Sequence, residues 1–207
     1  MPDTEFINTI TPETDDALLN KFLRRNITEY KDNIIKSIGA YAFYFCGDIK
    51  LIDLPNLITS GNYSFGNCYS LEKVNLPQLT NVGENGFEYA TLLTSINLPN
   101  VKSIGYNAFT YSNILRRVDL IVCNTISPNA FKNCSSLEEL IIRRSDKICT
   151  LINTSAFIDT KIVNGEGYIY VPQELIEQYK EASNWKTLAN QFRAIEDYPE
   201  ICDIETE

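Results

Sequence analysis

The chain has 207 residues, is 44% hydrophobic and carries a net charge of −9 without a single histidine. That apolar content can build a core, which excludes wholesale disorder, and the missing imidazoles exclude His-based triads, His metal ligands and a His pH switch. The charge is concentrated at the ends: residues 1–33 hold 4 basic and 7 acidic groups, residues 34–172 hold 11 of each, and residues 173–207 hold 3 basic and 9 acidic. A neutral body with acidic ends is not a nucleic-acid binder, because neutralising phosphates needs a basic surface.

Met1 to Ile10 has neither a basic nor an apolar signal region, and no run is long enough to span a bilayer, so no secretory signal and no membrane span is read in the chain as it stands. Thr11 to Arg25 predicts a helix. Thr11 can N-cap it, Pro12 suits the first helical position, and Leu18, Leu19, Phe22 and Leu23 form one apolar stripe. Ile27 to Tyr30 predicts a strand, and Lys31-Asp32-Asn33 a turn.

From there a repeat takes over. Phe43, Phe65, Phe87, Phe109 and Phe131 follow one another at intervals of 22 residues, and Phe157 comes 26 later. A fixed period of this length marks a solenoid, in which each unit buries its apolar face against its neighbours. Apolar ladders keep the same register: Ile52, Val74, Ile96, Val118 and Leu140 stand nine residues after each Phe, and Leu54, Leu76, Leu98, Leu120 and Ile142 eleven after. That period-two pair predicts one short strand per coil with one buried face.

Small residues precede each Phe (Ala42, Ser64, Gly86, Ala108, Ala130 and Ala156) and let coils pack closely. Gly39, Gly61, Gly83 and Gly105 recur four residues before the Phe, where a turn with positive φ is expected. Pro55, Pro77 and Pro99 end the strands. After Tyr170-Val171-Pro172, Gln173 to Ala182 predicts a helix, and Trp185, Leu188, Ala189 and Phe192 continue the helical spacing as a cap over the solenoid end. The acidic tail from Glu196 to Glu207 is expected to aid solubility.

The fold expected is therefore an α/β repeat solenoid of six ~22-residue coils. An N-terminal cap or attachment segment occupies residues 1–33, the solenoid 34–172, and a C-terminal helical cap with the acidic tail 173–207. The units Ser37-Ile38-Gly39-Ala40-Tyr41-Ala42-Phe43-Tyr44-Phe45-Cys46 and Leu71-Glu72-Lys73-Val74-Asn75-Leu76-Pro77 resemble the BspA-type leucine-rich repeat, as does the closing segment from Tyr170 to Trp185. The resemblance covers roughly residues 34–192. It implies a leucine-rich-repeat solenoid without catalytic activity, surface or secreted placement, and adhesin-like binding of host or partner proteins, as in a family many of whose members occur in gut-associated bacteria. The chain departs from that pattern at Ser127 and Asn153 in place of Gly, and at Ala90, Ser112 and Thr160 in place of Cys.

The chemistry in the residues is sparse. Cys46, Cys68 and Cys134 share one ladder position and Cys123 and Cys149 another, so the six cysteines are read as small buried hydrophobes with free thiols rather than as disulfides. No C-x-x-C motif occurs, and no metal or cofactor site is expected. Asp53 and Asp119 stand three coils apart, roughly 14 Å at ~4.8 Å per coil, too far for a glycosidase carboxylate pair. No phosphate loop, EF-hand loop or nucleophile elbow is present, and the N-x-S/T matches at Asn26, Asn62, Asn133 and Asn153 are chance matches in an Asn-rich chain.

Two surfaces remain. One is the concave strand face, with Asp53, Asn75, Asn97, Asp119 and Ile141 in one row, flanked by Lys73, Ser95, Arg117 and Glu139. The other is the turn side, rich in aromatics: Tyr41, Tyr44, Phe45, Tyr63, Tyr69, Tyr89, Tyr106 and Tyr111. The function read from the sequence is a non-catalytic module that binds a protein or glycan partner through Asp53, Lys73, Asn75, Ser95, Asn97, Arg117 and Asp119. The alternative is a structural or display module of a cell envelope or phage-like particle, attached through residues 1–33. An enzyme is disfavoured, because a catalytic pocket needs convergent titratable groups and the repeats spread theirs along one face.

Overall fold

A computed structural model describes residues 27–202 of the chain. The helix expected over Thr11–Arg25 lies outside the described residues. Each coil carries two strands rather than one. The longer set comprises β1 (Glu29–Lys31), β3 (Leu51–Asp53), β5 (Lys73–Asn75), β7 (Ser95–Leu98), β9 (Arg117–Leu120), β11 (Glu139–Ile142), β13 (Tyr168–Val171) and β14 (Phe192–Ala194). The shorter set comprises β2 (Ser37–Ile38), β4 (Thr59–Ser60), β6 (Asn81–Val82), β8 (Ser103–Ile104), β10 (Thr125–Ile126) and β12 (Thr150–Leu151). A two-residue strand is too short to show an alternation, so periodicity alone misses this second set.

All pairings are parallel and follow the repeat register. Tyr30, Ile52 and Val74 lie side by side, and so do Ile96, Val118, Leu140, Ile169 and Phe192. The longer strands form the sheets β1-β3-β5 and β7-β9-β11-β13-β14, and the shorter ones β2-β4 and β6-β8-β10-β12. The parallel stack thus extends from Glu29 to Ala194.

Between the two strands of a coil, the chain makes the turn that carries the Phe. The six phenylalanines are fully buried and stack face to face, with adjacent ring centroids 5.0 to 5.6 Å apart. Tyr30 closes this column at one end, 5.0 Å from Phe43, and Trp185 at the other, 5.8 Å from Phe157. The indole N–H of Trp185 donates to the Cys149 carbonyl at 2.7 Å, so its polar edge is satisfied inside the core.

The residues two before and two after the Phe have positive φ: Tyr41, Tyr63, Asn85, Asn107 and Asn129 on one side, Phe45, Asn67, Tyr89, Tyr111, Asn133 and Asp159 on the other. Alternating hands along the turn aim successive N–H groups the same way. In the coil of Phe43, the N–H groups of Tyr41, Phe43 and Phe45 donate to the carbonyls of Asn62, Ser64 and Gly66 in the next coil at 2.9, 2.7 and 3.0 Å.

The recurrent glycines do not take positive φ; Gly165 alone does among the glycines of the described residues. Gly61, Gly83 and Gly105 are required by close approach. A Cβ on Gly61 would lie 2.2 Å from the Ala40 nitrogen, and one on Gly105 2.7 Å from the Gly83 carbonyl carbon. The coils come together there too tightly for any side chain.

The C-terminal cap is part helix and part strand. A 3₁₀ turn, Gln173–Leu175, leads into α1 (Ile176–Glu181). The helical spacing read through Trp185 and Phe192 ends sooner than expected. Trp185–Gln191 is 3₁₀ and kinked at Leu188, and Phe192 opens β14, which adds to the sheet beside β13. There the Phe192 ring packs 5.2 Å from Tyr179 and 5.8 Å from Trp185, so burial against the cap outweighs helical continuation.

Cys46, Cys68, Cys123, Cys134 and Cys149 are free and buried. Several of them do more than fill space. The thiols of Cys68 and Cys134 donate to the carbonyls of Phe43 and Phe109 in the preceding coil at 3.2 and 3.0 Å, and the Ser112 hydroxyl does the same for Phe87 at 3.0 Å. Burial holds the Cys68 and Cys134 thiols well above their ordinary pKa.

Three outcomes follow for stability and reactivity. Phe87→Ala should cost ~3–5 kcal/mol and broaden unfolding across neighbouring coils; a melt shifted no further than that of an exposed Asn75→Ala control would contradict the column. Gly61→Asn should be as damaging as Gly61→Ala, by ~1–3 kcal/mol or more; were positive φ the requirement, denaturant titration would show Asn better tolerated than Ala. The five buried thiols should react with an aromatic disulfide reagent only after denaturant is added, and rapid labelling of Cys68 or Cys134 in the native protein would refute their burial.

Candidate functional site

The strand face is built from the longer strands. Side chains alternate across a strand, so with Ile52, Val74, Ile96 and Val118 turned to the core, their neighbours face outward. The pairing register puts Lys31, Asp53 and Asn75 in one row on the first sheet, and Asn97, Asp119, Ile141, Tyr170 and Arg193 in the same row on the second. Lys73 and Ser95 occupy the flanking row, in line with Leu51 and with Arg117 and Glu139 respectively.

The row is not uniform. Asn75 and Asn97 are exposed and Asp53 is half-buried, with the Asn75 amide donating to the Asp53 carboxylate at 2.8 Å. Lys73 and Ser95 are exposed beside them. These five residues make an open polar strip with few internal commitments.

Farther along, the face is covered. Asp119 is only 6% exposed. Arg143 grips both its carboxylate oxygens, Nε at 2.8 Å from Oδ1 and Nη2 at 2.6 Å from Oδ2, and Nη2 also donates to the Ile201 carbonyl at 2.7 Å. Arg117 is half-buried at the boundary, reaching Glu139 at 3.3 Å and Asp119 at 3.9 Å. Ile141 is fully buried in a second, smaller core with Tyr170, Ile195 and Ile201, against which Tyr168 and Tyr198 pack. The covering segment is β14, a 3₁₀ turn Ile195–Asp197 and α2 (Pro199–Cys202).

The sequence reading placed Asp119 and Ile141 in an open row and gave Glu196 onward to a solubility tail. Asp119 instead lies beneath Arg143, and the tail through Ile201 folds back on the sheet. The signal was present: Ile195, Tyr198 and Ile201 stand three apart among the acidic residues. Arg143 was missed because it sits just past the regular strand positions, where the last full coil begins its longer return to Cys149.

The turn side is a second built surface. Tyr41 and Tyr63 stack at 4.9 Å, and Tyr89 and Tyr111 at 4.7 Å, each pair nearly parallel. Tyr44 meets Tyr41 and Tyr63 edge-on at 5.2 and 5.7 Å, and Tyr69 lies 6.3 Å from both Phe45 and Tyr89. Tyr41, Tyr69, Tyr106 and Tyr111 are exposed. Among the described residues no group of three or more Cys, Asp or Glu is placed to hold a metal ion, and no helix is long and apolar enough to cross a membrane.

Stacked parallel coils, one buried Phe per coil and an outward polar strand row define a leucine-rich-repeat solenoid. The chain belongs to the BspA-type leucine-rich repeat family, whose repeat region matches in six copies over residues 20–138 and 60–179. None of the curated proteins matches the chain significantly in sequence.

Among solved structures, the pneumococcal vaccine antigen PcpA superposes with a TM-score of 0.58 at 19% identity, covering 82% of this chain and 40% of its own. A leucine-rich repeat protein from Bacteroides ovatus superposes with a TM-score of 0.51 at 23% identity, covering 72% of this chain and 44% of its own. The chain therefore spans less than half the length of either, and at these identities the likeness establishes the fold.

The burial of Asp119 has a direct test. Arg143→Ala should destabilise the protein by ~3–5 kcal/mol, because it leaves a carboxylate buried without its partner. Breaking the exposed Lys50–Glu72 pair, 3.6 Å apart, should cost at most ~1 kcal/mol. Equal costs for the two in denaturant titration would place Asp119 in solvent.

Proposed function

We propose that the chain is a non-catalytic interaction module that engages a protein or glycan partner through the open part of its strand face: Asp53, Lys73, Asn75, Ser95 and Asn97, with Arg117 at the edge. The observation that carries this reading is the outward row of half-buried Asp53 and exposed Asn75 on the first sheet, continued at the same repeat position by exposed Asn97 on the next. Packing does not demand these side chains, since they point away from the core, and the strand ladder does not, since it is made by backbone. Short amides and a carboxylate at one position of successive coils lose little entropy on binding and offer donors and acceptors at repeated positions. Lys73 beside them gives mixed rather than single-sign charge, which favours specific polar contacts over bulk attraction. Asp119, gripped by Arg143 under the C-terminal segment, supports the face from below instead of contacting the partner. Surface or secreted placement, with adhesin-like binding, rests on the family to which the repeats belong.

The test is binding of the full chain to arrayed glycans and to arrayed surface proteins. Replacing Asp53, Asn75 and Asn97 together with Ala should leave the melting temperature nearly unchanged and weaken any ligand so found by at least ~1–2 kcal/mol, the scale of a few lost polar contacts. A triple variant that keeps full affinity at unchanged stability would move the site off this face.

A further inference from the structure

The turn side poses a question that the strand face does not answer. Five aromatic residues, Tyr41, Phe45, Tyr63, Tyr89 and Tyr111, adopt φ between 57° and 64°. Bulky side chains rarely take this conformation, whereas Asn takes it with little strain. The other coils show the cheaper solution at equivalent positions: Asn85, Asn107 and Asn129 before the Phe, Asn67 and Asn133 after it. The backbone therefore does not require the aromatics. Something else holds them where Asn would be easier, and such strain is a pointer to surface function.

Up to Tyr111 the charge around these rings is one-sided, the first cation on the turns being Lys132 in the next one. In the turn segments 40–45, 62–67, 84–89 and 106–111 there are six tyrosines, two glutamates and no lysine or arginine. Glu88 sits among the rings. Burial lifts its carboxyl above the ordinary range, opposed by the amide of Asn85, which donates to it at 2.8 Å. After burial, the Glu88 charge is the next cause raising the Tyr44 phenol, and it also acts on Tyr63 and Tyr89. Gly66 opens the space between: the Tyr44 ring leans over it, and a Cβ there would meet that ring at 3.2 Å. The result is a half-buried carboxylate set among two stacked tyrosine pairs, whose outer faces and edges border it.

We propose that the tyrosine ridge centred on Glu88 is a docking surface for an arginine-bearing segment of a partner protein. A guanidinium is planar and weakly hydrated, stacks on tyrosine faces and pairs with a carboxylate, so it suits this surface better than an ammonium or a neutral group. The same pairing occurs inside the molecule, where the Arg193 guanidinium lies 4.1 Å from the centre of the Tyr168 ring. The ridge lies on the turns and is independent of the strand-face reading.

The experiment uses the full chain and a fluorescent octapeptide alternating glycine and arginine, read by anisotropy at physiological salt. Tyr41→Asn with Tyr63→Asn introduces the residue that neighbouring coils already carry, so the melting temperature should stay within about 4 °C of the parent. Peptide affinity should fall roughly three- to five-fold in that variant and in Glu88→Gln, the scale of a lost stacked cation. Glu196→Gln, an equal change in net charge on the covering segment, and the Asp53, Asn75 and Asn97 triple should each leave it unchanged. Unchanged affinity in the tyrosine variant, an equal loss in Glu196→Gln, or a melting drop beyond about 4 °C would overturn the proposal, the last by showing that the rings serve to hold coils together.

Discussion

The constraint on which the molecule depends is the hydrogen bonding of one Phe-bearing turn to the next. The N–H of Phe65 donates to the Gly86 carbonyl at 2.9 Å, that of Phe87 to Ala108 at 2.7 Å, and that of Phe109 to Ala130 at 2.7 Å. The bonds can run in one direction only if left-handed residues alternate with right-handed ones along the turn. That condition sets the coil spacing, and the spacing then brings the phenyl rings into contact at 5.0 to 5.6 Å. It also makes the residue before the Phe small, because its carbonyl must reach the preceding coil across a packed interior. Buried thiols and hydroxyls three residues after the Phe then use the spare lone pair of the preceding Phe carbonyl.

Much of this could be read in the sequence, because periodicity records burial. The Phe column and the ladders at nine and eleven residues appear in the structure as the core and the strand register. What could not be read is what periodicity does not encode. Gly61 looked like a turn residue, yet its role is clearance, which depends on a coil 22 residues away. The left-handed positions were signalled by Asn rather than Gly, and Asn133, one of the N-x-S/T matches, turns out to be one of them. The open part of the candidate face was legible from alternation. Its covered part was not, because coverage comes from a segment whose apolar residues are diluted by acidic neighbours.

That covering segment shows how a solenoid end can select its own binding face. A repeat stack left open exposes core at its last coil. Here Trp185 and Phe192 close the core, and the chain then continues across the strand face to bury Ile141 and Tyr170. The ion pair between Asp119 and Arg143 adds little net stability relative to an apolar contact of the same size, since both groups lose water. What it supplies is position: Arg143 holds Asp119 with one edge and the Ile201 carbonyl with the same terminal nitrogen, so the returning segment has one register on the sheet.

The part of the face that stays open coincides with a break in the sheets. Neither β5 and β7 nor β4 and β6 pair as strands, so both sheets are interrupted between the coils of Phe65 and Phe87. The step is carried by the Thr80 N–H on the Ile58 carbonyl at 3.0 Å, by the turn bonds of Tyr63, Phe65 and Asn67 to Glu84, Gly86 and Glu88, at 2.8, 2.9 and 2.7 Å, and by the stacked rings. Asp53 and Asn75 stand on one side of it and Asn97 on the other. A partner that bonds to Asn75 and Asn97 together would bridge the step where the strands themselves do not, and the docking ridge around Glu88 lies on the turn bonds that hold the same step. Both surfaces thus meet the solenoid where its strand ladders are interrupted, and there a bound partner would add cross-links to a step held mainly by turns.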